Sequence, residues 1–196
     1  MLAVLTSIHV AVVNALRPAD GLPLLLLRLY LAPVMWLAGT QKLAHFDGTV
    51  EWFGNSEWGL GLPLPWLLAG LATWTEILGA LLLVLGLATR YISLPLLVTM
   101  VVAALTVHWP HGWAAIASSE TAAISERLEW VTAILQEHGN YEWLTSEGSL
   151  VVLNNGIEFA ATYALMLLVL IIYGGGRYLS IDHYLARYLK APQTVG

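Results

Sequence analysis

Four stretches of this chain are long and apolar enough to cross a bilayer, and each is broken by at most two ionisable residues. A spanning helix needs about 20 mostly apolar residues. The stretches 22–43, 65–86, 91–109 and 151–173 meet that length. Arg28 and Lys42 interrupt the first, Glu76 the second and Glu158 the fourth, while the third ends on His108. Backbone in hydrocarbon must satisfy its own hydrogen bonds, which leaves helices as the economical solution for such segments. The expected fold is therefore all-α: an integral membrane protein built as an antiparallel bundle of four transmembrane helices. Pro33 is expected to kink the first span.

Composition supports this. Hydrophobic residues make up 58% and charged residues 11% of 196. A soluble domain carries about 25% charged residues, so lipid must cover much of this surface. The net charge of −5 comes without any basic run, which excludes the phosphate-neutralising stripe of a nucleic-acid binder. The absence of cysteine excludes disulfides, thiolate metal ligands and dithiol redox chemistry within the chain.

Residues 1–16 contain no Lys or Arg and no small-residue cleavage site follows, so they do not read as a signal peptide. Leu2, Leu5, Val12, Val13 and Leu16 form a weak apolar stripe, the mark of an interfacial helix or a disordered lead. Within the insert 110–150, Ile124, Leu128, Val131 and Leu135 recur at helical spacing before Gly139. An amphipathic helix over about 120–138 follows. The tail RYLSIDHYLARYLK reads as a second interfacial helix, turned by Gly174-Gly175-Gly176, with 191–196 a disordered end. Residues 1–190 are thus a single membrane domain.

Positive charge orients the bundle. Arg17, Arg90, Arg177, Arg187 and Lys190 share one side under a four-span topology, with Lys42 and Arg127 on the other. Both termini are therefore expected in the cytoplasm of a bacterial inner membrane. The acidic segments 44–64 and 110–150 then face outward, where Trp52, Trp58, Trp66, Trp109 and Trp113 form an aromatic belt.

An ionisable residue within a span costs roughly 2.5–3.5 kcal/mol, so each needs a partner or a function. At about 1.5 Å per residue, Arg28 and Glu76 differ in depth by about 6 Å, and a buried Arg28–Glu76 pair is expected. Such a pair either fixes helix register or serves a polar ligand head or a proton. Lys42, two heptads after Arg28, returns to nearly the same face, and snorkelling explains it equally well. Thr75 and Gly79 form a small-xxx-small pair suited to helix packing.

His45, His108, His111 and His138 all map to the outer side. Three readings stay open for them: histidines capping helix ends, a metal site, or a quinone head-group site. The metal site would use His108 and His111 with His45 or Glu158, though structural zinc or copper needs three or four ligands. In the quinone site His108 and Lys42 would bond the carbonyls while Trp109 or Trp113 stacks on the ring, with Arg28, Glu76 and Glu158 lining the pocket.

The stretches RLYLAPVMWLAGTQKLAHF and TEILGALLLVLGLATRYISLPLLVTM resemble the DoxX family. The shared positions are Arg28, Gly39 with Lys42, Glu76, Gly86 with Arg90, and His108. EWFGNSEWGLGLPLP, TVHWPHGW, LQEHGNYEWL and GSLVVLNNGIEFAATYALML look like its HvfX branch, which is similar to accessory proteins of copper-linked, bufferin-type modified-peptide systems. The resemblance implies a four-helix membrane bundle with a helper role in metal or oxidative-stress homeostasis. It also implies a link to quinone, through relatives that are thiosulfate:quinone oxidoreductase subunits. Two functions are carried forward. The first is a redox accessory passing electrons between an outer-face partner and membrane quinone, the donor necessarily lying outside this cysteine-free chain. The second is a non-enzymatic membrane partner or scaffold for a copper-binding peptide. Small-residue helix faces also allow a homo-oligomer.

Overall fold

The computed structural model describes residues 2–190, and within them it is all helical apart from turns and one isolated bridge. The proposed disordered end at 191–196 lies outside the described residues. In chain order the helices are α1 (Leu2–Leu16), α2 (Leu22–Ala44), α3 (Phe46–Gly54), α4 (Pro65–Leu85), α5 (Thr89–Ala103), α6 (Ala122–His138), α7 (Tyr141–Thr145), α8 (Glu158–Tyr173) and α9 (Ile181–Lys190). They fall into two compact units. One runs to Met100 and resumes at Tyr163; the other is Val101–Thr162.

Three helical runs have the length and hydropathy of a membrane span: Leu22–Ala44, Pro65–Leu85 and Thr89–His111. The chain is therefore a multi-pass membrane protein. The fourth apolar helix, Glu158–Tyr173, has 16 residues, about 24 Å at 1.5 Å per residue. The expected span 151–173 is thus corrected at its start, because residues 151–157 are not helical. Asn154, Asn155 and Gly156 explain this. Asn155 takes a left-handed φ of 59°, which Asn tolerates better than most residues, and the Asn154 amide donates to the carbonyls of His111 and Ala114 at 2.7 and 3.1 Å. Residues 154–158 donate their backbone N–H groups to carbonyls of 112–115 instead of building a helical turn.

The core of the helical unit is apolar. Leu31, Ala32 and Met35 of α2, Ala80 and Leu83 of α4, Leu96 and Met100 of α5, and Leu167 and Leu170 of α8 form one buried cluster. The outward faces are apolar too: Leu26, Leu71, Val98 and Leu165 are more than half exposed. That inversion of the soluble pattern suits lipid contact. α2 continues through Pro33 as one helix. The turn from α4 to α5 is Gly86-Leu87-Ala88, so Arg90, expected in the turn, lies in the first coil of α5. Its guanidinium donates to the carbonyls of Ile171 and Ile172 at the end of α8, at 3.0 and 2.6 Å. A cation on the last carbonyls of a helix satisfies orphan acceptors and opposes the negative end of the dipole.

The remaining helical expectations agree in outline. α1 is a helix whose residues from Leu5 to Leu16 are exposed, α6 covers 122–138 and α9 covers 181–190, beyond a Gly174–Gly176 segment in which Gly174 and Gly176 take φ of 78° and 75°.

Candidate functional site: a buried ion pair between the first two spans

Gly39 brings α2 against α4. A Cβ at this position would lie 2.7 Å from Ile77 Cγ1 and 3.0 Å from Glu76 Cβ, so any larger residue would push the helices apart. Close approach through a small residue is how membrane helices pack where no hydrophobic effect joins them. It also sets the register. Lys42 lies one turn beyond Gly39, and its Nζ reaches both carboxylate oxygens of Glu76, at 3.0 and 2.7 Å. Glu76 is 2% exposed and the Lys42 side chain 25%. Both groups are charge-compensated, and a quarter of the Lys42 side chain stays exposed.

The expected Arg28–Glu76 pair does not form. Arg28 is fully buried and its fork is taken by main-chain carbonyls: Leu83 at 2.9 Å, Val84 at 3.4 Å, Tyr178 at 2.7 Å and Leu179 at 3.2 Å. Arg28 therefore stands level with the end of α4, two turns from Glu76. The span ends behind the depth argument hold to within one residue; the pairing failed because the Arg28 guanidinium is taken by the carbonyls at the end of α4 and of 178–179, while Lys42, one turn from the Gly39 contact, reaches the carboxylate.

Around Arg28 the chain is tied together. Gly86 takes φ of 60°, and a Cβ on it would lie 2.5 Å from Arg28 Nη1; both the left-handed turn and the guanidinium demand glycine here. The Gly86 carbonyl accepts from Ser180 Oγ and from the Asp182 N–H. Asp182 in turn accepts the N–H groups of Ala88 and Thr89 at 2.7 and 2.8 Å. It caps α5 from another helix, in the place where a carboxylate is favoured by the helix dipole. Sequence reasoning missed Asp182 and Ser180. Their one signal was an acidic residue in the first turn of α9, which reads as a local cap rather than a long-range one.

The other candidates are placed as follows. His45 is exposed at the junction of α2 and α3, where its carbonyl accepts from Thr49. His108, His111 and Glu158 belong to the second unit. There α5 passes into a π-helical turn, Ala104–His108, and a 3₁₀ turn, Trp109–His111. Single π turns often mark functional positions. His108 Nδ1 lies 2.8 Å from the Asn155 carbonyl, which assigns the proton to Nδ1 and leaves Nε2 as the acceptor. Glu158 Oε2 accepts the Ala115 N–H at 3.0 Å, so its carboxylate helps hold the 112–115 segment. Among the described residues no three His, Cys, Asp or Glu side chains gather into a metal-binding group.

No curated protein and no solved structure matches this chain. Residues 23–109 match the DoxX family, a stretch that holds Arg28, Gly39, Lys42, Glu76, Gly86, Arg90 and His108 together with the three long spans. The match covers 87 of the 196 residues and is a likeness of that stretch to the DoxX family.

Proposed function

We propose that the Lys42–Glu76 pair binds the polar head of a membrane-soluble ligand, a quinone before others, in an accessory protein of the bacterial inner membrane with both termini cytoplasmic. The observation that carries this reading is the half-hidden ion pair. Glu76 is buried, while Lys42 keeps a quarter of its side chain open and has spent two of its three N–H donors on the carboxylate. An ammonium with a free donor can hydrogen-bond a quinone carbonyl and supply a proton as that oxygen gains charge on reduction. In this reading the two electrons come from a partner protein or a soluble substrate, since no cysteine is present to relay them within the chain. Arg28, with four carbonyl partners, supports the fold beside this site and is not proposed to touch the ligand.

A second reading is favoured by His108. A backbone carbonyl on Nδ1 is the usual way a metal-binding imidazole is oriented. With no third ligand gathered around it, His108 would bind copper only together with residues of a partner, as a member of an HvfX-like branch serving copper-binding peptides would. His111 and His45 are the secondary candidates. The test is the copper, ubiquinone and menaquinone content of protein purified in mild detergent, repeated for Glu76→Gln and His108→Ala. Stoichiometric quinone lost in Glu76→Gln supports the first reading. Copper lost in His108→Ala, without quinone, supports the second. Neither ligand in the wild type makes both pairs packing devices.

A further inference from the structure

Helix α6 has two apolar stripes, and one of them is bare. Ile124, Leu128, Thr132 and Leu135 are partly buried, forming the inward stripe. Trp130, Val131 and Ile134 lie on another face and are 67%, 44% and 56% exposed. Val131 was expected on the inward stripe and sits between the two. At 100° per residue, Trp130 and Ile134 lie within about 40° of each other; Glu126 and Glu137 flank Trp130 on its far side, and Arg127 lies about 20° beyond Ile134 on the other. Arg127 is the single base of the segment 110–157, against Glu120, Glu126, Glu129, Glu137, Glu142 and Glu147. Exposed apolar surface rimmed by polar residues marks an interaction site. A tryptophan and an isoleucine one turn apart have the spacing of anchors in helix recognition.

The geometry points to a docking surface for a cationic amphipathic helix of a partner protein. Its apolar face would cover Trp130 and Ile134, and its Lys or Arg residues would meet Glu126 and Glu137. Charge decides between occupants. Anionic lipid would be repelled by this rim and is attracted by basic segments, not acidic ones. A second copy would offer one base, Arg127, against two glutamates, Glu126 and Glu137, and so leave like charges opposed, which costs specificity and affinity. This surface is independent of what binds at Lys42 or His108.

The test uses the full chain in nanodiscs of phosphatidylcholine and a fluorescent Lys/Leu amphipathic peptide of about 18 residues, five helical turns. A matched Glu/Leu peptide and empty nanodiscs serve as controls. The Lys/Leu peptide is expected to bind the protein above the empty-disc background. Affinity should fall about tenfold or more in the double variant Trp130→Ser/Ile134→Ser, whose exposed positions leave the fold intact. It should also fall in Glu126→Gln/Glu137→Gln and with rising salt. Absence of binding, equal binding of the Glu/Leu peptide, or unchanged affinity in the Trp130/Ile134 variant overturns the proposal. Because the chain has no cysteine, Ile134→Cys provides a unique label. Quenching of that label by brominated lipid would assign the stripe to the membrane. Cross-linking between copies would assign it to self-association. Either result overturns the proposal.

Discussion

Replacing Lys42 by Met leaves the Glu76 carboxylate 2% exposed and without its counter-ion, the arrangement that makes half of a buried pair worse than none. The single variant is expected to lose about 3 kcal/mol of stability, whereas Lys42→Met combined with Glu76→Leu should return to within about 1 kcal/mol of the parent. Thermal unfolding in detergent, read by tryptophan fluorescence, checks both. The double variant is the useful one, since it separates folding from any role of the charges. Gly39→Val acts differently. Its side chain would meet Ile77 and Glu76 within 3.0 Å, and the overpacking should cost about 1–3 kcal/mol while drawing Lys42 off its carboxylate. The sequence carried all the residues of this site, Lys42, Glu76 and Gly39 among them, but paired the wrong two. An intramembrane charge announces that it needs a partner; which partner it finds depends on helix register, and here that is set by a glycine contact without a signature in hydropathy.

Elements were more legible than their ends. The apolar runs marked α2, α4 and α5, and periodicity marked α6 and α9. What was not legible is where backbone hydrogen bonds leave the helical pattern. Residues 151–157 are apolar enough to continue α8, yet Asn154 and Asn155 bind them to 111–115, a preference that lies in two side chains rather than in mean hydropathy. Long-range caps were equally hidden. Asp182 closes the N-terminus of α5 from the start of α9, so Asp182→Ala should cost about 1–2 kcal/mol. It should also raise amide exchange across 86–90 and 180–184 together, whereas a purely local cap would loosen only α9. Hydrogen exchange by mass spectrometry distinguishes the two patterns. Arg28→Lys should be destabilising as well, because one ammonium cannot reproduce a fork that reaches both the end of α4 and the 178–179 backbone.

At the scale of the molecule, three runs of spanning length are joined by an apolar helix of 16 residues. About 24 Å of α8 falls short of a hydrocarbon core of about 30 Å, a mismatch that local thinning or the flanking residues can absorb. The four-span topology makes a direct prediction for this cysteine-free chain. Single cysteines at Ala88 and Arg187 should be labelled by a membrane-impermeant maleimide from one side of sealed vesicles, and cysteines at Gly48 and Glu147 from the other. If Arg187 labels from the same side as Glu147, α8 does not cross.

The central claim is that the partly exposed Lys42, paired with Glu76, is a ligand site. Titration of a ubiquinone analogue into the protein in nanodiscs, for the parent and for Lys42→Met/Glu76→Leu, tests it most directly. Saturable one-to-one binding by the parent, weakened at least about tenfold in a double variant that unfolds at the parent's temperature, is the predicted result. Equal binding by both proteins, or none by the parent, would contradict the claim and leave the pair as a device that fixes α2 against α4.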